Sequence, residues 1–277
     1  MKIATDINKT SQLQYPFSGK SVIITGASRG IGKELALQLS DQGAYLTLAA
    51  RDAVLLDQTA DLCGKKGGRS ITVTTDVSIE RQCQVLISRA YEEYGRIDML
   101  INNVGVVDKA AFEDLSSFTQ GETVMNVNFW GSVYCTHYAL PFLKLTNGRI
   151  VVLNSGAGKF PTPTSIFYGA SKHALDGFFD TLRYELKTSG VTITSIYPNW
   201  IATGISTRPA GSEGKYTSKV NPHENGAMCP DQCANIIITS AEKRKAMVFL
   251  SFDTKVGYLL KPFFPKTIDK VSGKFFE

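Results

Sequence analysis

The chain has 277 residues, 43% hydrophobic and 20% charged, with a formal net charge of +5. That composition supports a full core and excludes a disordered chain, and a basic excess so small and dispersed excludes nucleic acid as a partner. Five cysteines without a C-x-x-C pair and three scattered histidines argue against a disulfide framework and a zinc site, so no metal is expected and the thiols read as reduced. No apolar core of signal-peptide length opens the sequence and no run reaches the ~18 apolar residues of a spanning helix, so a cytoplasmic protein is expected.

Residues 1–19 read as an N-terminal extension. The first strand is expected at Ser21–Thr25 and runs into Gly26-Ala27-Ser28-Arg29-Gly30-Ile31-Gly32, followed by a helix over Ile31–Gln42. Glycines at this junction allow a tight turn and bring backbone amides of the helix N-terminus close to a pyrophosphate. Any tight strand-to-helix turn also favours glycine, and the spacing G-x-x-x-G-x-G differs from G-x-G-x-x-G.

The second strand, Tyr45–Ala49, ends in Ala50-Arg51-Asp52 before a helix over Ala53–Lys65. An acid near this point usually meets a free ribose 2′-hydroxyl. Ala50 stands in its place, Arg51 follows, and Arg29 adds a second guanidinium. Two arginines suit a 2′-phosphate, so NADP(H) is favoured over NAD(H). Asp52 is read as the cap of the following helix rather than as the ribose acid.

The third strand, Ser70–Thr74, leads to Asp76 and Val77. Asp76 suits an adenine amino group and equally suits a turn before the helix Ile79–Tyr94. The fourth strand, Met99–Asn102, ends in Asn102-Asn103-Val104-Gly105, where paired asparagines brace the glycine loop, contact the ribose or simply turn the chain. One long helix is expected over roughly Phe118–Leu143 with Asn128 inside it. The fifth strand, Ile150–Asn154, delivers Ser155.

The helix Tyr168–Thr188 opens Tyr168-Gly169-Ala170-Ser171-Lys172, which puts Tyr168 and Lys172 on one face. A phenol near pKa 10 exchanges protons poorly at neutral pH, and a neighbouring ammonium lowers that value. Lys172 is expected to do so and to hold ribose hydroxyls. Ser155 is expected to bond a substrate oxygen, and Asn128 to hold a water linking Lys172 to solvent. Each residue alone has an ordinary structural reading.

The sixth strand, Thr192–Tyr197, precedes Pro198. Residues 204–226 lack periodicity and are expected to be a lid over substrate, with Trp130, Phe160 and Trp200 as candidate lining residues. A helix over Asp231–Lys243 and a strand at Met247–Leu250 follow. The alternation implies an α/β fold: one Rossmann-like, doubly wound parallel sheet of about seven strands, helices on both faces, over residues 20–252. Residues 253–277 show no regular element and carry five lysines, three acids and four phenylalanines. They suit an interfacial helix at a membrane surface, or a flap closing an apolar mouth.

In order, Thr25–Gly32, Asn102–Gly105, Asn128, Ser155 and Tyr168 with Lys172 resemble the short-chain dehydrogenase/reductase family over roughly Lys20–Leu250. The resemblance implies that Asn128, Ser155, Tyr168 and Lys172 form a catalytic tetrad. It implies that residues 198–203 meet the nicotinamide end through Pro198, the Ile201 backbone and Thr203, and that the chain is a homodimer or homotetramer paired through its two long helices. Val104 and Asn199 depart from the usual Ala and Gly, and Asn154 from the usual Ser, without removing a tetrad residue. Gly158-Lys159-Phe160, Phe167 and residues 174–179 are similar to the 11β-hydroxysteroid dehydrogenase-like branch. Residues 259–265 are similar to the dehydrogenase/reductase member 7B type. The implied function is NADP(H)-dependent interconversion of a ketone or aldehyde with an alcohol, on an apolar, lipid-like or steroid-like substrate. The alternative is a non-catalytic NADP(H)-binding sensor or membrane-surface scaffold.

Overall fold

The computed structural model describes residues 15–203 and 227–274. Seven parallel strands form one sheet: β1 (Ser21–Thr25), β2 (Tyr45–Ala50), β3 (Arg69–Thr74), β4 (Met99–Asn102), β5 (Arg149–Leu153), β6 (Thr192–Tyr197) and β7 (Met247–Phe249). Their spatial order is β3-β2-β1-β4-β5-β6-β7. The winding reverses between β1 and β4, so a crevice opens beyond the carboxyl ends of those two strands, where Gly26 and Asn103 begin.

Alternate residues of each strand face opposite layers. Val22 and Ile24 pack with Leu35 and Leu39 of α1 (Gly30–Asp41), Leu56 of α2 (Ala53–Lys65) and Ile237 of α7 (Pro230–Glu242). Ile23 packs with Leu86 of α3 (Glu80–Tyr94), Leu143 of α5 (Gly131–Leu145) and Phe179 of α6 (Ile166–Glu185). Both faces are covered, which is why the strands read as continuous apolar runs. Truncating a fully buried leucine such as Leu48 should cost about 2–5 kcal/mol. Phe17, ahead of β1, is also buried in this core.

The caps obey local rules. The Asp52 side chain accepts from the Leu55 amide at 3.1 Å, so it caps α2 as expected. Gly95 closes α3 with φ 66°, a left-handed position that glycine adopts at little cost.

Two expectations need correction. The long helix before β5 is not continuous: α4 (Thr119–Met125) passes through a π-helical turn at Asn126–Trp130 into α5. Such a widened turn re-aims the residues it carries, Asn128 among them. The segment after β7 is not irregular but a helical hairpin, α8 (Phe252–Leu260) and α9 (Pro265–Lys274). Ser251 caps α8 by accepting from the Thr254 amide at 3.3 Å. Tyr258 packs on Phe249, with ring centroids 5.2 Å apart, which ties the hairpin to β7. No described helix is long and apolar enough to cross a membrane.

Candidate active site

The glycine loop is shaped by the side chains it lacks. Gly26 has φ 69°, and a Cβ on it would meet the Asn103 amide nitrogen at 2.8 Å. A Cβ on Gly32 would lie 2.1 Å from the Gly26 carbonyl oxygen, so the first turn of α1 packs directly on the loop. Gly30 has φ 53° and lies against the Thr203 side chain. Asn103 is the brace: its side-chain amide donates to the carbonyls of Thr25 (2.9 Å) and Gly26 (3.2 Å). Its backbone amide donates to the Thr25 hydroxyl at 3.0 Å. Of the readings open for the paired asparagines, bracing belongs to Asn103, while Asn102 is buried and donates to the Thr136 hydroxyl at 3.0 Å.

This cradle fits a dinucleotide. The α1 N-terminus carries no acid in its first turn, and Arg29 precedes it in extended conformation without a side-chain cap. Its free amides, with Ser28, Gly30, Ile31 and Gly32 around them, suit a pyrophosphate. Arg29 pairs with Asp52 at 2.6 Å, and Arg51 is exposed at the end of β2. Both oxygens of Asp52 therefore have partners, one the α2 amide and the other Arg29. Asp76 forms the turn: one carboxylate oxygen accepts from the Ser78 amide and hydroxyl, at 2.9 and 2.7 Å. Val77 is buried against Gly131 at the start of α5. Val104 packs against Gly26, where the larger side chain is accommodated.

After β6, Pro198 accepts from the Gly156 amide at 3.2 Å. Ile201 bridges to Met228, and Thr203 donates back to the Ile201 carbonyl through its amide at 2.7 Å. These bonds hold residues 198–203 against Gly156 and Met228, with Thr203 beside Gly30 of the glycine loop. The lid expected at 204–226 lies outside the described residues.

Ser155 ends β5 and accepts from the Ala157 amide at 3.2 Å through its hydroxyl. Because that oxygen accepts within the loop, its proton is available to donate elsewhere. Tyr168 lies in the first turn of α6, and its backbone is held on both sides. The buried Asp108 carboxylate accepts from the Tyr168 amide at 2.8 Å and from the Phe167 amide at 3.2 Å. The Ser171 hydroxyl donates to the Tyr168 carbonyl at 2.8 Å. Burial raises the Tyr168 pKa above that of an ordinary phenol, and the Ser155 hydroxyl beside it opposes the rise.

Lys172 is buried on the same face of α6 as Tyr168. Its ammonium donates to the Leu153 carbonyl at 2.7 Å and stands 5.7 Å from the centre of the Tyr168 ring. Burial lowers its pKa to about 7. Asn128 is buried beside it. Its side chain is fully engaged: it accepts from the Val106 amide at 2.8 Å and donates to the Val106 carbonyl at 2.9 Å and to Ser171 Oγ at 3.0 Å. It fastens the loop after β4 to α6. Gly105 lies between Asn128 and Lys172, where an added Cβ would stand 3.7 and 3.8 Å from their polar atoms.

Trp130 is not at the site; it is exposed and stacked on Tyr134 at 5.7 Å. Phe160 is buried beneath Gly257 of α8. Sequence reasoning missed Asp108. Its only sequence signal is an acid between a strand end and a helix start, and nothing local says that it caps a helix 60 residues away.

The short chain dehydrogenase profile matches residues 20–211. The chain is 39% identical to 11-beta-hydroxysteroid dehydrogenase-like 4A of Arabidopsis thaliana, covering 79% of this chain and 73% of that one. It is 35% identical to an 11-beta-hydroxysteroid dehydrogenase of Pinus massoniana, covering 91% and 72%. In structure it is similar to a short chain dehydrogenase/reductase from Burkholderia phymatum solved in complex with NAD, with TM-score 0.81, 25% identity, and 91% and 96% of the two chains covered.

Proposed function

Because the chain belongs to the short chain dehydrogenase family and is an NAD(P)(H)-dependent oxidoreductase, we propose that it interconverts an apolar ketone or aldehyde with its alcohol, using NADP(H). The observation that carries this reading is the meeting of Ser155, Tyr168 and Lys172 beyond the carboxyl end of β5, beside the glycine cradle. When bound, a reduced nicotinamide supplies the hydride. Tyr168 keeps its proton at neutral pH and delivers it to the substrate oxygen. Ser155 donates to the same oxygen and polarises the carbonyl. Lys172, poised near neutrality beside the phenol, returns a proton to Tyr168 after transfer. Asp52 is engaged with Arg29 and the α2 amide, and Arg51 is exposed; both support a 2′-phosphate over a free hydroxyl.

The hydroxysteroid dehydrogenase names of the relatives and the similarity of residues 259–265 to the member 7B type support an apolar substrate by analogy. Oligomer formation through α4–α5 and α6 is part of the same reading, and the exposed Trp130 at the end of the π turn, stacked on the half-buried Tyr134 of α5, supports it. NADPH oxidation against a panel of ketones, aldehydes, steroids and 3-keto lipids, with Tyr168→Phe as control, tests the reading. Turnover that survives in Tyr168→Phe overturns the assignment.

A second reading concerns where the substrate is met, a lipid surface. It is favoured by exposed Phe252, Leu259, Phe263 and Phe264 on the hairpin, beside exposed Lys255, Lys266 and Lys270. Cosedimentation with anionic vesicles should fall in Phe263→Ser/Phe264→Ser; equal sedimentation of variant and wild type sinks the idea.

A further inference from the structure

A buried polar network behind Ser155 has no part in the chemistry described above. Asp176, on α6, is 9% exposed. Its carboxylate meets three donors: the Lys159 ammonium, the Tyr197 hydroxyl and the Asn154 side-chain amide, the last at 3.2 Å. Asn154 is 5% exposed and uses its other end, Oδ1, to accept from the Ser155 amide at 2.9 Å. We propose that Asp176 is a positioning residue for Ser155, acting through the orientation of the Asn154 side chain.

The argument is one of donor and acceptor direction. An ionised carboxylate only accepts, so Asn154 must turn its NH2 toward Asp176. That leaves the carbonyl end for the Ser155 amide. An amide group at 176 can itself donate, so Asn154 becomes free to flip and present its NH2 to the Ser155 N–H, a pair of donors that cannot bond. The Lys159 ammonium pairs with the same carboxylate, the strong kind of hydrogen-bond partner in a buried site. Tyr197 remains a donor, because burial and Asp176 both push its pKa up.

The surroundings hold this arrangement. Gly158 closes over Asn154: a Cβ there would stand 2.7 Å from Asn154 Oδ1. The C-terminal hairpin closes the outer side. The Lys159 ammonium lies 4.7 Å from the centre of the Tyr258 ring, and Lys261 donates to the Lys159 carbonyl at 2.8 Å. A path of direct contacts thus runs from α8 through Lys159, Asp176 and Asn154 to the serine expected to polarise the substrate.

The proposal rests on the role given to Ser155, so its test reads the link itself as well as turnover. Amide hydrogen exchange at Ser155 in Asp176→Asn should rise about tenfold or more, with β1 amides unchanged. Turnover number should fall about tenfold while NADPH affinity stays within about twofold, as misplacement of one reacting group predicts. Asn154→Ala should produce the same two changes, and the double variant should add little to either single one. A merely structural Asp176 would give additive losses and no selective change at Ser155. Unchanged Ser155 exchange in Asp176→Asn, or additive effects in the double variant, overturns the proposal. If Asp176→Asn does not fold, Asp176→Ala, which removes the acceptor that holds the Asn154 NH2, should raise Ser155 amide exchange and lower turnover in the same direction; unchanged Ser155 exchange there overturns it too. If the wild type turns over no carbonyl, the functional reading fails while amide exchange still decides the link.

Discussion

The glycine loop and the first turn of α6 sit beside the same crevice and are built by opposite means. At the loop, approach is made possible by missing side chains: Gly26, Gly30 and Gly32 leave room that a single Cβ would fill. At α6, position is enforced by buried polar side chains: Asp108 on the Tyr168 amide, Ser171 on its carbonyl, and Asn128 on Ser171. The loop therefore tolerates no added atoms. The helix tolerates no removed partners, since an unpaired buried donor costs about 1–3 kcal/mol. The difference teaches that a cofactor cradle can be local while a proton-transfer site depends on distant supports.

The largest expected effect tests the helix side. Tyr168→Phe removes the proton donor and should lower turnover by about 10²–10⁴-fold, with NADPH binding retained in a fluorescence titration. Gly32→Ala tests the loop. The backbone overlap with Gly26 should weaken NADPH binding about 100-fold or more, and a thermal melt should show about 1–3 kcal/mol of lost stability. If Gly32→Ala binds NADPH normally, the loop is not held as tightly as described. Asp108→Ala leaves the Phe167 and Tyr168 amides unpaired, and should cost about 1–3 kcal/mol in denaturant unfolding and lower turnover more than NADPH affinity.

Arg51→Ala should reduce the NADPH-to-NADH preference in kcat/KM by about tenfold, the loss of one charge-assisted contact. Equal preference in variant and wild type removes Arg51 from 2′-phosphate recognition. The smallest effect is on pH. The Lys172 pKa is lowered to about 7 in the folded protein, against about 10.4 for an unperturbed lysine. The unfolded chain therefore binds more protons between those values, and wild-type stability gains from Lys172 as pH rises through that window. Lys172→Met has no such term, so its advantage in melting temperature over the wild type, in the cofactor-free protein, should shrink from pH 7 to pH 10. A constant difference contradicts a buried, depressed lysine.

The features legible in the sequence were those carried by neighbours along the chain. Strand ends at Thr25, Asn102 and Tyr197 agree with the structure because apolar runs stop there and turn residues begin. The Asp52 cap and the Gly95 stop were legible for the same reason. The break at Asn126–Trp130 was not, because a π turn keeps the apolar pattern of a continuous helix nearly intact. The helices over residues 252–274 are not legible as regular elements because Pro262 and Pro265 interrupt the run and much of its apolar surface stays exposed.

Within the site, spacing alone placed Tyr168 and Lys172 on one face, since i and i+4 meet on any helix. The sequence by itself determined the sheet, the glycine cradle and the identity of the side chains proposed to react. Only the tertiary structure decided their electrostatics. Burial raises the Tyr168 pKa against the opposing Ser155 hydroxyl and lowers that of Lys172, and this burial arises from elements far apart in the chain. The carboxylates of Asp108 and Asp176 act across 60 and 22 residues, on Tyr168 and on Asn154, distances at which sequence neighbours carry no information about contact.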